Sequence, residues 1–288
     1  MGKVFQIAKN TFREAVRDRI LYVVAFFALM MLIGSVAFGW ISIVDQLQVV
    51  QDMSLAVLSF FCALMAVFIG AGLVHKEIEK RTIYTILSKP VQRWQFLLGK
   101  YLGLMAVLGL ALLGMLAAAL LFVAYAAGNS PDAVEKPWTS LVHWDWYIAA
   151  GTLIFFELLV VVALATLFGS LANPTLSAIF TFTAYLIGQV SSTIQFMFTK
   201  FQPMSESVAN ITGEELTDFV SRTYFIFRPL SIFLFYVLPD LRHFQLRNQV
   251  ALGPPPTVEQ FLLAVAYGIC YSAAVLAVAT LIFGRKRF

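Results

Sequence analysis

Few side chains in this 288-residue sequence could do chemistry, and they stand far apart. The three histidines, His75, His143 and His243, lie in separate segments and share no metal-ligand spacing. Cys62 and Cys270 both fall inside apolar runs, where a small buried hydrophobe is expected rather than a disulfide framework. The chain has no HExxH, no GxSxG and no CxxC. It also has no GxxxxGK[ST] loop, so energy from a nucleotide would have to come through a partner. One acid is placed unusually. Glu157 lies about ten residues into an apolar run, roughly 15 Å deep at helical rise. A carboxylate at that depth is costly unless it is protonated, paired or facing a polar cavity. Two roles suit it: a substrate or proton site, or a helix–helix hydrogen bond to Gln189, Ser191 or Ser192. An intramembrane enzyme built on Glu157 would lack both nucleophile and metal.

The elements that hold these residues follow from composition. Hydrophobic side chains make up 60% of the chain and charged ones only 12%, too few to cover a soluble particle of this size. Runs long enough to cross about 30 Å of hydrocarbon fall at about 20–44, 53–74, 98–127, 147–171, 175–199 and 259–283. They are continuous rather than alternating, which predicts six helices and not a barrel. In the third, Gly99, Gly103, Gly109 and Gly114 suit close helix packing. The first run is too long for the h-region of a signal peptide, and a charged stretch precedes it. The fold class read from the sequence is an all-α integral membrane protein forming a single transmembrane domain, 1–288.

Charge sets the orientation. Fourteen of the 20 Lys and Arg lie before the first run, between the second and third, or after the last, and that side is read as cytoplasmic. Both ends are then cytoplasmic. The positive balance belongs to a membrane surface rather than to nucleic acid. Trp138, Trp144, Trp146 and Tyr147 mark the outer interface where the fourth run enters.

Three segments lie outside the spans. Residues 3–19 read as an amphipathic helix on the inner leaflet, with Phe5, Ala8, Phe12, Ala15 and Val16 on its apolar face. The cytoplasmic connection, about 76–97, mixes charge with Ile83, Ile86 and Leu87, a spacing that predicts a short helix stopped before Pro90 and suited to docking a soluble partner. The external connection, 200–258, is long. Within it Thr212 and Glu215 have capping-box spacing, and residues 232–238 are very apolar but too short to span.

The stretch from Glu77 to Gly103, with Lys80-Arg81-Thr82, Pro90, Arg93 and Leu98-Gly99-Lys100, resembles the permease subunits of ABC-2-type transporters. The branch it looks most like holds the permease associated with multicopper-enzyme maturation. That resemblance implies a type V exporter-like fold, with an amphipathic connecting helix at 3–19, a coupling helix at about 78–89 and re-entrant external helices at 230–239. It also implies a prokaryotic inner-membrane location, two permease copies per pore (identical or paralogous) and an ABC ATPase subunit docked under each. Glu77, Glu79, Arg81, Thr82, Ile83, Ile86, Leu87 and Lys89 would then be the ATPase-coupling residues, and no cofactor is implied. Lys80-Arg81 stands where Gly is more usual, and 200–258 is longer than in minimal members, so a periplasmic protein is a further expected partner. A second reading keeps the same architecture but moves no cargo, conveying ATP-driven motion to that periplasmic protein.

Overall fold

The computed structural model describes residues 2–41, 46–79, 92–129, 142–190, 239–244 and 257–285. Every element among them is helical. We name them α1 (Gly2–Val16), α2 (Arg19–Ile41), α3 (Gln46–Glu79), α4 (Arg93–Gly128), α5 (Trp144–Leu171), α6 (174–190) and α7 (Val258–Arg285), with a 3₁₀ turn at Leu241–Phe244. Five of these, α2, α3, α4, α5 and α7, are long and apolar enough to cross a membrane. The chain is a multi-pass membrane protein. The expected fifth run, 175–199, is helical through residue 190, and its remainder lies outside the described residues.

Local chemistry sets the helix limits. Asp18 breaks α1 from α2, its carboxylate accepting the Ile20 amide at 3.1 Å and so capping α2. At the start of α4 the Gln95 side chain accepts from the Gln92 amide, and at the start of α7 Thr257 and Gln260 bond reciprocally as a capping box. Pro174 follows the extended Ala172 and separates α5 from α6.

The helix α3 departs from expectation. It begins at Gln46 rather than near residue 53 and continues to Glu79 rather than 74. Gln46–Asp52 carries four polar residues and reads from sequence as a connection, yet it is helical, the span-length apolar stretch begins at Leu47, and Val50 and Gln51 are buried. Packing of these inward positions supports the extra turns.

The chain divides into two compact units, Met1–Phe182 with His243–Phe288, and Thr183–Arg242. In the first, α3 and α5 form the centre, with 61% and 67% of their apolar windows buried, against 28%, 33% and 22% for α2, α4 and α7. The broadest pairings are α5 with α7, α1 with α4, α3 with α5 and α2 with α3. Ser54 beside Tyr147 and Gly70 beside Ala165 show that α3 and α5 run parallel. The start of α4 meets the end of α7, where the rings of Phe96 and Phe283 stack at 6.1 Å. Ile7 of α1 and Leu167 of α5 pack on the same cluster. One end of this unit therefore gathers α1, the start of α4 and the last turns of α5 and α7. In the second unit, Gly188 lets α6 approach the chain at Pro239–Leu241, where a Cβ would stand 2.8 Å from the Pro239 oxygen. Nearby, Asp240 accepts two bonds from Arg242 Nε at 2.7 and 2.8 Å, which raises the guanidinium pKa further.

Candidate functional site

Two arrangements of polar residues stand out among the described residues. The first runs along the contact between α3 and α5. Near the start of both helices, Ser54 Oγ and Tyr147 Oη are 2.7 Å apart. The Ser54 hydroxyl also donates to the Gln51 carbonyl at 2.8 Å, so its single hydrogen is engaged and the tyrosine is the donor. About one and a half turns further along α3, Ser59 Oγ donates to Glu157 Oε2 at 3.1 Å. One turn beyond that, Cys62 Sγ approaches Met115 Sδ of α4 at 3.9 Å. The seam then turns apolar and tight, and a Cβ on Gly70 would lie 2.7 Å from the Ala165 Cβ.

Glu157 is thus a buried acid, 3% exposed, bonded to the second long span. The sequence suggested Gln189, Ser191 or Ser192 as partners; a partner observed is Ser59 of α3, and Ser191 and Ser192 lie outside the described residues. Tyr147 also differs from expectation. Trp144 and Trp146 are half-buried, as an interfacial belt requires, whereas Tyr147 is fully buried and faces Ser54. Its hydroxyl finds a partner inside, which removes the reason to sit at the water boundary.

The second arrangement joins α1 to α4. Two glycines one turn apart, Gly99 and Gly103, let the helices close. A Cβ on Gly99 would stand 2.8 Å from Ile7 Cβ, and one on Gly103 would stand 2.5 Å from the Ala8 carbonyl oxygen. Gly109 makes a similar but looser approach to Phe155, while Gly114 faces open space and so does not share the packing role read for it from sequence. Between the two tight glycines Lys100 is buried, 1% exposed, with its ammonium 3.8 Å from Glu14 of α1 and 5.7 Å from the Phe96 ring centroid. Thr11 is buried against Gly103.

This contact adds a protein-facing arc to α1, made of Val4, Ile7, Ala8, Thr11 and Ala15, beside the edge that carries Phe5 and Phe12. Phe5 is 71% exposed. On a 3.6-residue wheel Phe5, Phe12 and Val16 form a neighbouring edge, and Lys9 and Arg13 follow on the far side, with Arg17 in the turn after the helix.

Of the expected coupling residues, Glu77 and Glu79 fall in the last turns of α3, five and seven residues past the end of its apolar stretch at Gly72. Arg81, Thr82, Ile83, Ile86, Leu87 and Lys89 lie outside the described residues, as does most of 200–258. No group of three or more His, Cys, Asp or Glu that could hold a metal occurs among the described residues.

Sequence reasoning did not single out Ser59 or Ser54, and it named Lys100 only within the Leu98-Gly99-Lys100 motif, not as a buried ion-pair partner. A lone lysine seven residues into α4, just inside its apolar window, was the available signal for the last. The serines carried none, since pairing across helices depends on register.

Compared with known proteins, residues 5–287 match a family model described as ABC-2 family transporter protein. No curated protein matches the chain.

Proposed function

The chain belongs to the ABC-2 transporter family, and on that premise we propose that it is the permease subunit of an exporter powered by a separate ATPase. The observation that carries the proposal is the run of α3 past its apolar window. From Gly72 to Glu79 the helix continues for seven residues, about 10 Å at helical rise, and so projects Glu77 and Glu79 beyond the hydrocarbon. It leaves the membrane at the end where α1 docks and where most Lys and Arg of the sequence lie. On the positive-inside reasoning this is the cytoplasmic end, which gives six spans with 175–199 as the fifth, and both termini inside.

In this reading the segment 76–97 is the coupling region, and Glu77, Glu79, Arg81, Thr82, Ile83, Ile86, Leu87 and Lys89 meet the ATPase. Two permease copies and two ATPase subunits make the working assembly in a prokaryotic inner membrane. Closure of the ATPases pushes on α3 and α4, and the spans respond as a bistable interface that needs no catalytic side chain. Apolar walls with few charges favour an amphiphilic cargo. The length of 200–258 supports the second reading, in which the motion is delivered to a periplasmic protein; a complex that stays bound to such a protein with no cargo in the pore would favour it.

The test is co-purification with an ATPase subunit and vanadate-sensitive ATP hydrolysis by the complex. Reversing charge at Glu79 and Arg81 together should reduce both binding and hydrolysis. If both survive, the coupling assignment is wrong.

A further inference from the structure

The hydroxyl of Ser177, in the first turns of α6, is fully buried and meets no hydrogen-bond partner among the described residues. The other buried serines behave differently. Ser35, Ser54, Ser170 and Ser272 each donate to the carbonyl three residues back, and Ser59 donates to Glu157. The Ser177 backbone is satisfied, its amide by Asn173 O at 2.8 Å and its carbonyl by Thr181 Oγ1 at 2.7 Å. Burying a hydroxyl without a partner is costly, and such groups in folded chains are met by ordered water.

The surroundings of Ser177 are polar. Gly169 of α5 has no Cβ, and the point where one would stand is 3.6 Å from the Ala71 carbonyl oxygen, 3.7 Å from that of Gly70 and 3.7 Å from Ser177 Oγ. No other glycine among the described residues has only oxygens as its nearest neighbours; Gly70, Gly99, Gly103 and Gly151 all meet side-chain carbon. Gly70 and Ala71 are interior to α3, so each carbonyl takes one amide hydrogen of its own helix and keeps a second lone pair.

We propose that Ser177, Gly70 and Ala71 hold one buried water beside Gly169, tying α6 to α3 across α5. The hydrogens balance: the water accepts from Ser177 Oγ and gives one hydrogen to each carbonyl. A water touching the Gly169 α-carbon at about 3.3 Å stands beyond the Cβ point, toward the three oxygens, where bonds of about 2.8 Å are made. Three partners is the usual number for a buried water. A monovalent cation suits the place less well, since the Ser177 hydrogen would still have no acceptor.

The position gives this water a use. Gly70 lies just before Gly72, where the apolar stretch of α3 ends and its last turns continue to Glu79. Water bonded to carbonyls within a helix loosens the ladder and permits a bend, and glycine on either side of Ala71 lowers helix stability further. Gly70–Ala71 is therefore the point at which α3 flexes, its last turns tilting while the buried span stays packed. The site needs only the packing of α3, α5 and α6, so it stands apart from the transport reading.

The experiment uses the full chain in nanodiscs, with no ATPase. A map that resolves ordered water should show a peak bonded to Ser177 Oγ and both carbonyls, and Gly169→Ala should remove it. The new methyl meets nothing closer than 3.6 Å, so it fits, yet it takes the water's place and strands the hydroxyl. The Tm of Gly169→Ala should therefore fall by about 2–4 °C, and that of Ser177→Ala should fall as well. The double variant, with neither hydroxyl nor water, should melt at or above the parent. In it, hydrogen exchange at residues 74 and 75, whose amides bond these carbonyls, should slow at least about threefold. A rise in Tm for Gly169→Ala alone, additive shifts in the double variant, or a water-resolving map with no peak overturns the proposal. So does a parent Tm that changes when choline replaces sodium at equal ionic strength and no longer changes in Ser177→Ala, which identifies a cation. Unaltered exchange at 74 and 75 overturns the flexing point. None of these readouts involves ATP, so a negative result here leaves the permease reading standing, and a failure of ATPase binding leaves this one untouched.

Discussion

Ser59 of α3 donates its hydroxyl hydrogen to Glu157 of α5 across 3.1 Å, at the contact between the two most buried spans. The bond ties Glu157 into the helix seam. Glu157→Gln keeps a carbonyl oxygen for Ser59 and should retain transport, with stability within about 1 kcal/mol of the parent; Glu157→Leu should lose about 0.6–1.7 kcal/mol. Thermal unfolding in detergent and a transport assay check this. Loss of transport in the stably folded Gln variant would instead assign the acid to cargo or protons.

A second prediction concerns the end of the same seam at Ser54. The Tyr147 hydroxyl donates to Ser54, so Tyr147→Phe and Ser54→Ala should each cost about 0.5–1.5 kcal/mol. The double variant should cost clearly less than the sum, because the two changes remove one shared bond. Additive losses would show that the hydroxyls act separately.

The glycines of α4 make opposed predictions. Gly103→Ala places a methyl 2.5 Å from the Ala8 carbonyl oxygen, a backbone atom, and should destabilise the docking of α1 by about 1–3 kcal/mol. Gly114→Ala meets nothing within 4 Å and should stabilise α4 by about 0.5–1 kcal/mol through helix propensity. Hydrogen exchange in residues 2–16 should rise in the first variant and not in the second.

Lys100 and Glu14 give the fourth. Breaking a fully enclosed pair costs about 3–5 kcal/mol, but Glu14 is 38% exposed and solvent screens it. We therefore expect about 1–2 kcal/mol for Lys100→Met or Glu14→Gln. Exchange of the two residues should recover part of that loss, measured as a double-mutant cycle on thermal stability.

The spans were legible because hydropathy alone defines them: the limits of α4, α5 and α7 in the structure fall within a few residues of the runs read from sequence. Other features were hidden for identifiable reasons. The start of α3 is written in Gln46, Gln48, Gln51 and Asp52, which resemble a loop until neighbouring helices bury Val50 and Gln51. The protein-facing arc of α1 was not legible, because an amphipathic helix with two apolar edges shows one broad arc on a wheel. Only the approach of Gly99 and Gly103 tells which edge meets protein. Glu157 was visible as an anomaly, yet its partner was not, since the register of two helices far apart in sequence leaves no local trace. The family resemblance rested on residues 77–103, and the structure gives part of that stretch a physical use: Gly99 and Gly103 admit α1, and Lys100 holds it.

The seam between α3 and α5 also constrains the order of synthesis. Ser54 precedes Tyr147 by 93 residues, and Ser59 precedes Glu157 by 98. The two helices cross in the same direction, so α4 must return across the membrane before α5 can enter. Until then the hydroxyls of the earlier helix wait without these partners, and a chain halted after α4 is unfinished at its centre rather than at its edge. A nascent chain arrested between residues 129 and 144 should therefore be the species that quality-control proteases recognise most readily.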